Sequence, residues 1–296
     1  MKHGMRAVAV LAFVWLSVDA NAQCENQKLV ASDGAWQQWF GRSVVLGGTR
    51  LVVGARLDDS HGLDTGAVYV YELGDSGWEE TAKLVADAPE IGAEFGSSVA
   101  LSGDTIVIGA WLDDTAGFDG GTAYVFERSG TAWVQTAELF SPKVEAGEFY
   151  GSAVAIDGDR LVVTAQRGRG LAGRSGKALV FERSGSQWLE TAILVAPDGQ
   201  VGDEMGRAVA LAGDRVLMGA FQDDDLGFNA GSAYVFLHDG VSWGLEAKLL
   251  ASQGAPNNQF GGVLALEGDR ALIGAEGLME SAYVFERGLL GWTETA

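Results

Sequence analysis

Three observations predict an all-β fold of repeated architecture for this 296-residue chain. Gly41, Gly96, Gly151, Gly206 and Gly261 recur at a fixed step of 55 residues. Inside each period, short runs rich in β-branched and aromatic residues alternate with Gly-Asp and Ser-Gly turns, as in SVALS, TIVIGA, TAYVFER and WVQTAELF of the second copy. The middle runs are apolar at consecutive positions, Ile106-Val107-Ile108 and Tyr124-Val125-Phe126, so both faces of each small sheet must be covered. Four antiparallel strands per period, stacked on copies of themselves around an axis, make a β-propeller of five repeats.

The N-terminal end is a different physical object. Lys2 and Arg6 precede an apolar run from Ala7 to Val18, and Ala20-Asn21-Ala22 supplies the small residues of a cleavage site. Residues 1–22 therefore read as a secretory signal peptide and residues 23–296 as the propeller, which places the protein outside the cytoplasm: secreted, periplasmic or at the cell surface. An uncleaved anchor is the alternative, although the apolar run is short for a bilayer span. Lipidation of Cys24 is another, although Asn21-Ala22-Gln23 matches the small-residue pattern poorly. Cleavage removes Lys2, Arg6 and Asp19 and takes the formal net charge from -20 to -21. Such acidity repels nucleic acid and anionic membranes. Cys24 is the sole cysteine, so stability rests on burial rather than on an intramolecular disulfide.

The other repeated positions keep the same step. Phe40, Phe95, Tyr150, Met205 and Phe260 precede the recurring glycines. Gly54-Ala55, Gly109-Ala110, Thr164-Ala165, Gly219-Ala220 and Gly274-Ala275 follow, then Tyr69, Tyr124, Leu179 and Tyr234, then Trp78, Trp133, Trp188 and Trp243. The small residues let neighbouring blades approach, and the tryptophans fill space between outer strands. Tyr283 and Trp292 arrive six residues early, so the fifth repeat carries one deletion between Ala275 and Tyr283. The repeats fall near 28–82, 83–137, 138–192, 193–247 and 248–296, a whole number of periods. That phasing predicts a closed five-bladed ring, with QKLVAS near the N-terminus completing or abutting the blade ended by WTETA. A closed ring predicts a monomer; the alternative is an open arc or a fragment of a seven-bladed propeller.

Phe95-Gly96, followed about a dozen residues later by Gly109-Ala110, resembles the FG-GAP repeat of the integrin α-subunit propeller and its bacterial relatives. The resemblance covers residues 27–296 and implies extracellular binding or adhesion. Two departures qualify it. The family's proline after Gly-Ala is replaced by Arg56, Trp111, Gln166, Phe221 and Glu276. The family's aspartate-rich calcium loop between the first two strands is also missing, since only Ser102-Gly103-Asp104-Thr105 joins Leu101 to Ile106. Calcium takes six or more oxygens, which so short a turn cannot supply, so no cofactor is expected. Gly103-Asp104, Gly158-Asp159, Gly213-Asp214 and Gly268-Asp269 read as hairpin turn chemistry.

Antiparallel topology puts the tight turns on one face of the ring and the long loops on the other, where binding usually resides. That face collects Asp58, Asp59 and Asp64; Asp113, Asp114 and Asp119; and Asp223, Asp224 and Asp225. The third repeat substitutes Arg167, Arg169 and Arg174. Trp36, Trp39, Trp111, Phe118, Phe221 and Phe228 lie on the same loops. Read singly, each aspartate is a solvated loop residue; read together, with weak cation binding as a further option, they are candidates for ligand contact. The partner classes are a protein or a carbohydrate at the cell surface. Glycosidase chemistry needs a pair of carboxylates in the channel, and the first strands SVVLG, SVALS, AVAID, AVALA and VLALE do not supply one. His61 and His238 stand without an acid–base partner evident from spacing. The sequence therefore predicts a non-catalytic binding module, with a lectin-like propeller as the alternative and a structural envelope protein or a glycosidase behind it.

Overall fold

The computed structural model describes residues 27–277 and 280–296, so the expected signal peptide and Cys24 lie outside the described residues. Five four-stranded antiparallel sheets follow one another, each with its strands in chain order. Blade 1 holds β1 (Phe40–Gly47), β2 (Arg50–Ala55), β3 (Ala67–Gly74) and β4 (Gly77–Leu84). Blade 2 holds β5 (Ser98–Ser102), β6 (Thr105–Ala110), β7 (Thr122–Ser129) and β8 (Ala132–Leu139). Blade 3 holds β9 (Tyr150–Asp157), β10 (Arg160–Ala165), β11 (Lys177–Ser184) and β12 (Gln187–Leu194). Blade 4 holds β13 (Val209–Ala212), β14 (Arg215–Ala220), β15 (Ser232–His238) and β16 (Trp243–Leu249). Blade 5 holds β17 (Phe260–Glu267), β18 (Arg270–Ala275), β19 (Ser281–Gly288) and β20 (Gly291–Glu294). The four-strand repeat read from the second copy is thus present in all five, and this is a five-bladed propeller.

Consecutive blades are joined by hydrophobic clusters built from equivalent residues. Between blades 1 and 2, Val52, Val68 and Val70 meet Phe95, Ile106, Ile108 and Tyr124. Between blades 3 and 4, Val162 and Val180 meet Met205, Val216, Met218 and Tyr234. The repeated glycines permit this approach. A Cβ on Gly54 would stand 2.1 Å from the carbonyl oxygen of Gly96 in the next blade, and one on Gly109 would stand 2.0 Å from that of Gly151. Blade 3 has Thr164 there, whose hydroxyl instead donates to the Gly206 carbonyl at 2.7 Å. Each blade also begins with a strained turn: Trp39, Glu94, Phe149, Glu204 and Gln259 all take left-handed backbone angles, φ between 51° and 58°. Five equivalent departures mark this as architecture rather than local accident.

The tight-turn face carries clamps between blades. Arg50 reaches Asp104 of blade 2 at 3.2 Å, Arg160 reaches Asp214 of blade 4 at 3.0 Å, and Arg215 reaches Asp269 of blade 5 at 3.4 Å. The Gly-Asp turns therefore do more than reverse the chain. The tryptophans take part as well: Arg50 lies over Trp133 at 5.0 Å and Arg160 over Trp243 at 5.1 Å. Blade 2 has Thr105 where its neighbours have arginine, and Arg183 of blade 3 compensates by reaching Glu127, Asp159 and Thr105.

The junction of blades 5 and 1 differs from the other four. Among the described residues no hydrophobic cluster spans it, and Val44, Leu46, Val263 and Leu272, whose equivalents are covered elsewhere, remain exposed at 60%, 62%, 49% and 48%. The expected attachment of QKLVAS to the last blade is corrected. Gln27 exchanges hydrogen bonds with the backbone of Trp78, Ser32 donates to Glu80, and Leu29 and Ala31 cover Tyr69 and Tyr71. This segment repeats the role of the inter-blade linkers, as Ser252 and Glu294 show with the same pairing in blade 5, and so it caps its own blade.

Candidate binding site at the axial mouth

The aspartate-rich loops between second and third strands are built by their own acids. Asp59 Oδ1 accepts the backbone N–H of Asp64 at 2.7 Å, Asp114 Oδ1 that of Asp119 at 2.5 Å, and Asp224 Oδ1 that of Asn229 at 2.6 Å. Asp64, Asp119 and Asn229 take left-handed backbone angles, a conformation that aspartate and asparagine tolerate better than most residues. The last two acids of each set thus shape the loop, with Asn229 standing in for aspartate in blade 4.

The first acid of each set is not on the ligand face, which corrects the expectation for Asp58, Asp113 and Asp223. All three are buried. Asp58 lies 2.9 Å from the Tyr69 hydroxyl and 3.0 Å from Lys83 Nζ, and it accepts from Gln38 at 3.1 Å. Asp33 meets the same tyrosine and lysine, each at 2.6 Å. Burial pushes the Asp58 carboxyl up, but hydrogen bonds from Ser60, Lys83 and Tyr69 outweigh it and hold the group below its ordinary value. Blade 4 repeats the cluster with Asp223, Tyr234, Lys248 and Asp198, and there Asp225 also reaches Lys248 at 2.6 Å.

Blades 2 and 3 depart from it. In blade 2 the lysine is replaced by Glu138; Asp113 keeps Tyr124 at 2.6 Å, and burial together with the neighbouring Asp113 and Asp114 raises the Glu90 carboxyl. In blade 3, Gly168, Leu179 and Ile193 replace all three members, and a buried Lys177–Glu148 ion pair with Ser141 occupies the region instead. Among the described residues no group of three or more His, Cys, Asp or Glu side chains has metal-holding geometry.

The basic loop of blade 3 is exposed and engages the linker before it and the one after. Arg169 approaches Glu145 at 3.4 Å, Arg174 donates to the carbonyl of Ala146, and Arg167 pairs with Glu204 at 2.9 Å while lying over Phe149. Arg167 and Arg169 thus neutralise linker acids, and Arg174 holds linker backbone.

The residues that converge are elsewhere. The starts of the first strands and the ends of the second strands surround a cavity of about 510 Å³ at the axis, on the long-loop face, with lining residues from all five blades. Blade 1 gives Trp39, Arg42 and Arg56, blade 2 gives Trp111, blade 4 gives Arg207 and blade 5 gives Glu276. Arg56 lies over the Trp39 ring at 4.2 Å and pairs with Glu94, which also accepts from Trp111 Nε1 at 2.7 Å. Trp111 packs on Phe149 at 5.2 Å, and Arg207 lies 5.8 Å from Phe221. Burial lowers the Arg56 guanidinium from its ordinary value, with the charges of Arg42 and Arg207 adding repulsion and that of Asp64 opposing. Of the aromatic residues that the sequence places on this face, Trp39 and Trp111 line this cavity, with Phe221 beside it through Arg207, and none of the candidate aspartates or of Arg167, Arg169 and Arg174 does. Arg42 and Arg207 were missed because they hold one repeat position, the residue after Phe-Gly or its equivalent, where the other copies read Ser97, Ser152 and Gly262. Aligning that column with Arg56, Trp111, Gln166, Phe221 and Glu276 is the signal that would have found them.

Fold and site together define a repeat propeller of the binding type, with five blades presenting long loops and an axial mouth on one face. The FG-GAP repeat family model matches residues 24–71, 78–126, 133–181, 188–236 and 243–285, and the chain belongs to that family. No curated protein matches it. Among solved structures it is similar in fold to a functionally unknown protein from Desulfotomaculum acetoxidans, at 11% identity and a TM-score of 0.54, covering 83% of this chain and 65% of that one. It is also similar to a protein from Bacteroides uniformis described as a putative 6-phosphogluconolactonase, at 11% identity and a TM-score of 0.54, covering 85% of this chain and 68% of that one. This chain therefore spans about two thirds of the length of each.

Proposed function

We propose that this protein is an extracellular, non-catalytic binding module that docks a protein partner on its long-loop face. The observation that carries this reading is a rim of exposed apolar side chains that surrounds the axial mouth. Leu63, Phe118, Leu171 and Phe228 project from the loops between second and third strands, and Trp36, Ile91 and Val201 from the linkers, each more than 60% exposed. Large exposed apolar side chains collected on one face mark a surface that another molecule covers, and aromatic residues are the usual anchors of such contacts. The cavity lining holds one acid, Glu276, where glycoside hydrolysis uses two, which supports the non-catalytic reading.

The test is capture of surface or secreted proteins by immobilised propeller, compared with a Trp36→Ser, Phe118→Ser, Phe228→Ser variant. Loss of the captured partner from the variant is expected. An unchanged set of captured proteins, or none with either bait, sinks the reading. A lectin-like function is the second reading, favoured by the indoles of Trp39 and Trp111 at the mouth, and binding of neutral oligosaccharides on a glycan array would establish it in place of the first. Calcium is not part of either reading: added calcium or chelator is expected to leave the melting temperature unchanged.

A further inference from the structure

We propose that the axial cavity binds a carboxylate group, held by the guanidinium groups of Arg42, Arg56 and Arg207 and walled by the indoles of Trp39 and Trp111. Three arginines gather here in a chain of formal net charge -20. Twelve of the fourteen sequence candidates for ligand contact lie off the axis, and most of the chain's other arginines and lysines pair with acids of the same or a neighbouring blade. Arg42 and Arg207 do not: neither has a carboxylate partner among the described residues. Arg56 is paired with Glu94, yet its Nε is buried without a hydrogen-bond partner. When Glu276 of the lining and Glu94, the ion-pair partner of Arg56, are set against the three cations, one positive charge is left over among these groups.

Three mutually repelling guanidinium groups around one cavity are stabilised by an anion placed among them, and a planar carboxylate matches the guanidinium fork. Burial first, and then repulsion from Arg42 and Arg207, lowers the Arg56 guanidinium, and a bound anion would relieve the repulsive part. A cavity of about 510 Å³ admits a body of one or two sugar or aromatic rings, and the two indoles offer apolar faces for it. Glu276, on the blade-5 side, disfavours a second carboxylate and so selects for a single one. The carboxylate can arrive on a free small acid or on an acidic side chain of a bound protein. This inference goes beyond the docking surface: the rim variant leaves the axial arginines in place, so failure of one does not imply failure of the other.

The experiment is isothermal titration calorimetry of the wild-type protein with D-glucuronate, D-glucose, N-acetyl-triglutamate amide and N-acetyl-triglutamine amide. Binding of at least one carboxylate probe is expected, with no binding of its neutral counterpart and a loss of affinity as salt is raised. Glucuronate binding points to a free acid as the source, and triglutamate binding points to a partner's side chain. The Arg42→Ala, Arg207→Ala variant, which breaks no ion pair in the structure, is expected to weaken binding at least about tenfold. Equal binding of neutral and charged probes, no binding of either carboxylate at millimolar concentration, or unchanged affinity in the double variant overturns the proposal. Should that variant fail to fold, a melting temperature of the wild type raised by the carboxylate probes and not by the neutral ones supports it, and no difference overturns it.

Discussion

The Tyr69 hydroxyl stands 2.9 Å from the buried carboxylate of Asp58, and the pair recurs 165 residues later as Tyr234 and Asp223 at 3.1 Å. In both blades a lysine from the fourth strand completes the cluster, Lys83 at 3.0 Å and Lys248 at 2.9 Å. The loop that begins at the aspartate is thereby pinned to the outer strand of its own blade.

Removing one partner of such a buried pair leaves an uncompensated charge. Lys83→Met is expected to destabilise the protein by about 3 kcal/mol, read as a lower midpoint in urea unfolding. A double variant, Lys83→Met with Asp58→Leu, should recover a good part of that loss, because no buried charge then remains.

Asp113 and Asp114 are adjacent and should behave differently. Asp113 is buried against Tyr124, so Asp113→Ala is expected to cost about 2 kcal/mol of stability. Asp114 is exposed and caps the Asp119 N–H, so Asp114→Ala should cost about 1 kcal/mol or less. Urea unfolding distinguishes them, and loss of a partner in the Asp113 variant would report on folding rather than on contact.

Acid should act on the blades in two opposed ways. Burial raises Asp198 and Asp58, but hydrogen bonds outweigh it, from Lys248 and Tyr234 for the first and from Ser60, Lys83 and Tyr69 for the second, so the stability they contribute is complete above the unfolded carboxylate range and is lost as pH falls through the folded values. Asp203 behaves in reverse. Where blade 1 has Gln38 donating to Asp58, blade 4 places Asp203 near Asp223, and burial first, then that like charge, pushes it up to about 6. The folded protein therefore holds a proton there that the unfolded chain has released, and stability should fall as pH rises from about 4 to about 6. Asp203→Asn, which keeps the acceptor for the Gln200 N–H, should flatten that part of the curve.

Close contact between blades predicts a fourth outcome. Gly109→Ala forces a methyl against the Gly151 carbonyl and is expected to cost about 2 kcal/mol or more, whereas Gly244→Ala meets nothing within 4 Å and should be neutral. Thermal unfolding of the two variants provides the comparison.

The strands were legible because runs of β-branched and aromatic residues and the turn chemistry between them are local. SVALS and TIVIGA name the same residues as β5 and β6, and the spacing of 55 delivers the other blades. The close approach of Gly54 to Gly96 was legible for the same reason, since a missing side chain repeats visibly. The fate of Asp58 was not. Its burial depends on Lys83, 25 residues away, and on how the loop folds back, and neither follows from periodicity. The cluster of Arg42, Arg56 and Arg207 was legible only by aligning two columns of the repeat, not from any one stretch. These residues are far apart in sequence and irregular in their columns, and they meet only because the blades bend around a common axis.

The bare junction between blades 5 and 1 has a consequence for how the molecule opens. Blades 2, 3 and 4 are clamped on both sides by apolar clusters and by arginine bridges to their neighbours, so their backbone amides exchange with solvent only when those neighbours let go. Blades 1 and 5 each have such a neighbour on one side only, with Val44 and Leu46 open on one and Leu272 and Val263 open on the other. Hydrogen exchange should therefore run as a gradient, fastest in blades 1 and 5 and slowest in β10 and β11, so that the propeller unravels from the bare junction as a coil rather than melting as a ring.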